Sequence, residues 1–447
     1  MREPLRALDE AALSATHWRI TVVTALGEFL NGYDLLIMGG ALLLLVPEFN
    51  LKPLQLGALT AAVYAGSIGG SLAAGWLADA LGRRVTLIVD FFFFVACSIF
   101  AGVARNAAEL IWARFLIGVG IGADVPPSYA LIAEIAPRAG RGRLLGSLQV
   151  FWGLGGVAAA LVSIPLIVLS GPHAWRWMFL SGVIPAIIVL LLRRSIPETP
   201  RWLLEAGNAA GAARAAGHVL GVTGSEPSGG QLGDWTSPLR RDRGMDLLRP
   251  QFLRMLIVVG AIQFFNTNAS ALLLIWGPLF VHSLGLTTTR GSQFFSLVLS
   301  SAFVVGTVLN TLLADRVGRR PLLLGAAAFQ AVGFTLLAIA QRSVPHAILI
   351  MFPMLSAANL AAAVSAYTWT PEFFPTHVRA RASSLLFASN RFGAVTIGLL
   401  TPALMALGRA EAVLMVGAVV EMAVLVIGLV WWRVETTGRS LEEIPET

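Results

Sequence analysis

The sequence predicts an all-α membrane protein with twelve transmembrane helices in two pseudo-symmetric halves of six. Three observations predict it: a scarcity of charge, apolar runs of bilayer length along the whole chain, and an internal repeat. Of 447 residues, 56% are apolar and only 13% charged, with a mean hydropathy of +0.75. Soluble domains carry about 25% charged residues. Half that density over the full length makes lipid the solvent for most of the surface. A large soluble α-protein is excluded because runs of 18 or more apolar residues recur from end to end.

The first 19 residues contain acids and Pro4 and lack a short apolar core with a small-residue cleavage site. They read as a cytosolic leader to a retained helix rather than a signal peptide. Twelve spans follow, at about 20–46, 55–78, 85–104, 109–136, 144–170, 175–192, 252–281, 292–314, 321–341, 345–370, 382–407 and 411–432. With the N-terminus in the cytosol, 24 basic residues face inward, including all nine arginines of the 193–254 segment, against six facing outward. That asymmetry places both termini in the cytosol of a cell with an inner membrane. The net charge of +7 is therefore an orientation signal, and no nucleic-acid partner is expected. The single cysteine, Cys97, lies in an apolar run, so neither a disulfide framework nor a thiolate metal site is expected.

The polar stretch 193–250 divides the chain into an N-terminal half, 1–192, a cytosolic linker, and a C-terminal half, 251–447. Across it, WLADALGRRVTL (76–87) returns as LLADRVGRRPLL (312–323), offset by 236. Tyr129 and Tyr367, Glu134 and Glu372, Pro137 and Pro375, Arg141 and Arg379, Arg143 and Arg381, and Gly155 and Gly393 all recur at 238. Glu198 in PETPR and Glu435 in VETTGR recur at 237. Two parallel repeats of six helices leave a midplane cleft, which is the geometry of a rocking transporter with one central site. No catalytic residues, cofactor or metal site are expected; the expected partners are a small-molecule substrate, protons and the bilayer, with the chain acting as a monomer.

Several motifs resemble those of the major facilitator superfamily. Gly75 to Arg84, GWLADALGRR, is similar to the signature loop between helices 2 and 3, departing at Ala80, where the family often has a basic residue. Arg114-Phe-Leu-Ile-Gly118-Val-Gly120-Ile-Gly122, then Tyr129, Glu134 and Arg141-Gly142, resembles the sugar-porter signature through helix 4. Pro197 to Leu203 and the tail from Glu435 extend the likeness. GVGIG lies within a membrane helix with no strand before it, so a dinucleotide loop is rejected; its glycines read as packing positions. Asp79 sits at the cytosolic mouth, where a carboxylate can meet arginines or a helix N-terminus of the opposite half only when that side is shut. Asp79 and Asp315, with Arg83, Arg84, Arg319 and Arg320, are therefore expected gate latches, joined by the motif residues Glu134, Arg141, Glu372 and Arg379.

Charges inside spans cost about 2.5–3.5 kcal/mol each on insertion scales, which makes each a functional candidate. They are Glu28, Asp34, Arg114, Asp124 and Arg391, with Asp90 and Glu421 left unexplained. Glu28 and Asp34 are six residues apart, about 9 Å along the helix and about 120° around it, so they do not easily share a partner. Asp34 falls between Arg114 and Asp124 in depth. A carboxylate that pairs with an arginine in one state and loses it in another changes its proton affinity between states. Asp34, Arg114, Asp124 and Glu28 form the expected proton-coupling set; for Asp34 a static pair with Arg114 is the competing reading, and for Glu28 a structural one. Gly32-Tyr33-Asp34 resembles the helix-1 stretch of proton-coupled sugar and phosphate symporters. Gly122-Ala-Asp124-Val-Pro126 resembles GGDYP of phosphate symporters, with Val125 replacing the tyrosine.

Arg391 lies in the eleventh span, and the C-terminal half offers no acid at cleft depth in helices 7, 8, 10 or 11. An arginine without a fixed partner favours a carboxylate or phosphate substrate; a pair across the cleft to Asp34 or Asp124 is the alternative. Ser389 to Ala394 resembles the R-x-G-A of proton-linked organic-acid symporters. Gln149, Gln263 and Asn268 match sugar-porter positions, although QFFNTN replaces QLSGIN, and Tyr367 stands where sugar porters have tryptophan. Asn266, Tyr33 and Trp152 complete the expected substrate set. The sequence thus points to a proton-coupled symporter of a small organic acid, aromatic or nicotinate-like, with a sugar or polyol porter as the alternative.

Overall fold

The computed structural model describes residues 8–220, 249–359 and 376–430, together with Leu247 and Phe374. The first span is α1 (Ala15–Glu48), capped by Ser14, whose side chain accepts from the His17 backbone N–H. It is followed by α2 (Pro53–Leu81), α3 (Arg83–Val103), α4 (Ala107–Ile135) and α5 (Arg141–Ser170). The sixth span is broken at Gly182 into α6 (Ala174–Ser181) and α7 (Val183–Arg193). Two short helices, α8 (Pro200–Glu205) and α9 (Ala209–Leu220), lead into the linker.

The seventh span comprises α10 (Pro250–Ala271), a π-helical turn at Leu272–Trp276, and α11 (Gly277–Ser283). Then come α12 (Thr289–Val317), α13 (Arg319–Ala340), α14 (Ala347–Asn359), α15 (Thr376–Ala406) and α16 (Ala410–Val430). Among the described residues every regular element is helical. Only closed structures such as helices satisfy their own backbone in lipid. Large apolar side chains point outward, among them Trp76, Phe92, Leu169, Ile339 and Val419. In water such a surface would aggregate; here it is the lipid-facing wall.

The repeat has a conformational counterpart. Gly82 ends α2 at φ 94°, ψ 159°, and Gly318 ends α12 at φ 91°, ψ 154°. A positive φ of this kind is strained for any residue with a Cβ, which accounts for glycine at both copies of the motif. Inside the N-terminal half, α2 and α4 meet through Gly66 and Gly70 on one helix and Gly118 and Gly122 on the other. A Cβ at any of the four would meet the partner helix's backbone. That is the small-residue spacing that lets membrane helices approach closely. The halves meet along two seams, α2 against α15 and α5 against α12, with α1 packed against the π turn.

Candidate functional site

The central cavity is lined by both halves. From α1, α2, α4 and α5 come Glu28, Tyr64, Val125, Gln149 and Trp152; from α10 to α15 come Asn266, Ser270, Phe303, Phe387, Asn390 and Arg391. The π turn contributes Leu274 and Ile275, a local widening of the helix of the kind found at functional sites.

Four of the expected substrate residues, Gln149, Trp152, Asn266 and Arg391, line this cavity. Gln149 donates to the Tyr129 hydroxyl at 2.7 Å, and Trp152 packs on Phe303 with ring centroids 5.0 Å apart. The other described members turn elsewhere. Tyr33 is hydrogen-bonded to Ser181 of α6 at 2.5 Å, inside the N-terminal half. Asn268 donates to the Phe264 carbonyl of its own helix, and Gln263 is buried, its backbone carbonyl accepting from Asn390. Tyr367 lies outside the described residues. The sequence reading did not single out Tyr64, Ser270, Phe303, Phe387 and Asn390, which carry no charge and stand out from neither their neighbours nor the apolar background.

The guanidinium of Arg391 lies over the Phe387 ring at 4.3 Å and the Tyr64 ring at 5.6 Å. Among the described residues no carboxylate forms a salt bridge with it, so the expected alternative, a pair to Asp34 or Asp124, is not formed in this conformation. Its Nε is buried without a hydrogen-bond partner.

Asp34 is 4% exposed, and Arg114, fully buried, donates to its Oδ2 at 2.6 Å. Asp124 is held differently. Arg193 Nη1 donates to its Oδ1 at 2.6 Å and lies 3.5 Å from Asp90 Oδ2, while Asn31 donates to its Oδ2 at 3.0 Å. The same guanidinium donates to the Leu87 and Thr24 carbonyls and stacks on Phe91 at 4.2 Å. Two readings from the sequence are corrected here. Arg193 is not a cytosol-facing anchor; it is fully buried at the end of α7 and ties α1, α3 and α4 together. Asp90, left without a role, belongs to the same cluster. Glu28, expected in the proton-coupling set with a structural role as the alternative, lines the cavity and lies in the electrostatic field of Asp124, Arg391 and Arg193. Glu421 is fully buried in α16 beside Asn266.

At the cytosolic end of the N-terminal half, Arg83 Nη2 donates to Glu134 Oε1 at 3.2 Å. Glu198 accepts from the backbone N–H groups of Arg83 and Arg84 at 3.2 and 3.1 Å, capping α3, and Arg84 donates to the Arg194 carbonyl. Arg141 and Arg201 both bond Asp9. Each of these contacts lies within the N-terminal half and the start of the linker. Burial pushes the Glu198 carboxyl above its ordinary value, opposed by its bonds to the Thr199, Arg84 and Arg83 backbone. Arg320 stands near the start of α13. The side chains of Asp79, Asp315, Arg319 and Arg379, and the whole of Glu372, lie outside the described residues.

Two helical halves around a central cavity, walled by lipid-facing apolar side chains, are the architecture of a membrane transporter. Residues 20–447 match the family described as "Sugar (and other) transporter", and the chain belongs to that family. It is 29% identical over 447 residues to the inner membrane metabolite transport protein YgcS of Escherichia coli (strain K12), covering 98% of this chain and 96% of that one. It is 29% identical to the arabinose-proton symporter of Bacillus subtilis (strain 168), over 82% of this chain and 81% of that one. The niacin transporter NiaP of Acinetobacter baylyi (strain ATCC 33305 / BD413 / ADP1) is 26% identical, with 98% of each chain covered. The structure of the proton:xylose symporter XylE bound to 6-bromo-6-deoxy-D-glucose superposes with a TM-score of 0.82. At 22% identity, with 97% of this chain and 99% of that one covered, the likeness establishes the major facilitator fold.

Proposed function

We propose that this chain is a proton-coupled symporter of a small organic acid, most simply an aromatic or nicotinate-like carboxylate, working by alternating access. The observation that carries the reading is Arg391: a nearly buried guanidinium on the cavity wall, flanked by aromatic faces and in no salt bridge with a carboxylate among the described residues. A bound carboxylate supplies the missing counter-charge through charge-assisted, bidentate bonds. Tyr64 and Phe387 offer ring faces beside it, and Trp152 and Phe303 line the same cavity. The niacin transporter among the relatives is in keeping with that class.

Proton coupling is assigned to Asp34 and Arg114. In this conformation they neutralise each other; a conformation that parts them leaves a buried carboxylate, which a proton then relieves. The symporters among the relatives support coupling to protons. The moving bodies are the halves 1–192 and 251–447 about the 193–250 linker, in a monomer of the inner membrane with both termini in the cytosol.

A sugar or polyol porter is the second reading, favoured by the uncharged polar wall of Gln149, Asn266, Ser270 and Asn390. A thermal-shift screen of the purified protein separates the two. Nicotinate or benzoate should stabilise it, and Arg391→Ala should abolish that shift. Stabilisation by xylose, glucose or a polyol alone rejects the organic-acid reading.

A further inference from the structure

The cavity wall opposite Arg391 carries a second charged side chain that the organic-acid reading leaves idle. Glu28 of α1 is 2% exposed, lines the same cavity, and has its Oε1 buried without a hydrogen-bond partner. Thus, among the described lining residues, the N-terminal half contributes a carboxyl group and the C-terminal half a guanidinium. Each has a polar atom left unbonded, Oε1 of Glu28 and Nε of Arg391. The Nε atoms of Arg114 and Arg193 are likewise without a partner, so the buried carboxyl oxygen of Glu28 is the more telling of the two. Here one molecule bridging the two walls gives both a partner.

The charges around Glu28 set the sign of what it accepts. On its own helix, Asn31 sits beside it and donates to Asp124. From α4 comes Asp124, from α3 Asp90, from α7 Arg193 and from α15 Arg391. Behind Glu28, two carboxylates share the single guanidinium of Arg193. On the N-terminal side three carboxyl groups, Glu28, Asp124 and Asp90, are thus gathered around the one guanidinium of Arg193, and Arg391 acts on Glu28 from the other half. Asp34 and Arg114 cancel each other and add nothing to this balance.

We infer that Glu28 is a specificity-determining residue and that the substrate is zwitterionic: a compact, ring-bearing carboxylic acid with a protonated nitrogen, its carboxylate on Arg391 and its N–H donor on Glu28. Such a ligand spans the cavity from one half to the other, so it holds the halves together as it binds. An anion alone gives Arg391 its partner and leaves the buried Oε1 of Glu28 without one. The inference rests on the assignment of Arg391 as the carboxylate site and adds a second point of recognition to it.

A matched set of probes tests it: benzoate, benzylamine, and 3- and 4-(aminomethyl)benzoate, titrated by calorimetry against the purified full-length protein. The wild type should bind at least one aminomethyl isomer about tenfold to hundredfold more tightly than benzoate, as expected for an added charge-assisted hydrogen bond. Glu28→Gln should erase that preference while leaving benzoate affinity intact or improved. Arg391→Ala should lose benzoate and the zwitterions alike. Benzoate binding as tightly as both isomers, or a preference that survives Glu28→Gln, overturns the inference while leaving the organic-acid reading in place. Binding by uncharged sugars alone overturns both. Retained benzoate affinity in Glu28→Gln reports that the variant is folded.

Discussion

At the scale of single residues, two of the buried charge systems of the N-terminal half differ in composition. Asp34 and Arg114 form a one-to-one pair, whereas Arg193 is shared by Asp124 and Asp90. The first is neutral as it stands and can act as a switch when parted. Asp34→Asn should abolish accumulation driven by a proton gradient in proteoliposomes while leaving substrate exchange. Accumulation that survives rejects the coupling assignment. The second system is built for cohesion: Arg193 also bonds carbonyls of α1 and α3 and stacks on Phe91. Removing it leaves two buried carboxylates without their common cation. Arg193→Met should therefore cost about 3–5 kcal/mol, the range for breaking a buried pair from one side. A detergent melting curve close to that of the wild type would show the cluster to be dispensable.

At the scale of elements, the helices were legible because bilayer length and apolar periodicity are one-dimensional properties. The repeat follows directly from the string, and of the helix-4 glycines read as packing positions Gly118 and Gly122 meet α2, whereas the positive φ of Gly82 and Gly318 and the matching Gly66 and Gly70 emerge only from the structure. Asp34 and Arg114 were legible for the same reason, as isolated charges in apolar runs. Arg193 was not, because an arginine at the edge of a span looks like any interfacial anchor until α7 is seen to end inside the bundle. What Glu28 faces was not legible, because its depth is readable from sequence but the direction of its side chain relative to the other half is not.

Glu198 shows a further element-level device, a linker carboxylate capping the N-terminus of α3. Burial raises its proton affinity in the folded state above that in the unfolded chain. Between the ordinary carboxylate value and the raised one, the folded form binds more protons, so this group adds stability as pH falls through that window. Glu198→Gln should flatten that part of the stability profile. An unchanged slope, measured by thermal melts across mildly acidic pH, would place the dependence elsewhere.

At the scale of the whole molecule, alternating access requires the seams between halves to open at one end and then the other. The seam of α2 and α15 offers a direct test of that requirement. Thr60 Oγ1 donates to the Gly398 carbonyl at 3.3 Å, and a Cβ placed on Gly398 would lie 3.5 Å from the Ala61 Cβ. That separation suits a disulfide without backbone movement. The chain has one native cysteine, Cys97, which is buried and can be replaced by alanine to give a thiol-free background. In that background, Ala61→Cys with Gly398→Cys should cross-link on mild oxidation and fasten this end of the two halves together. Exchange of whichever probe stabilises the protein should then stop, because one face of the cavity is never released, and reductant should restore it. Binding from the opposite face should persist in the cross-linked form, which separates a locked transporter from a misfolded one. Undiminished exchange by fully cross-linked protein would mean that the halves do not part at this seam, and the rocking motion assigned to residues 1–192 and 251–447 would have to be abandoned.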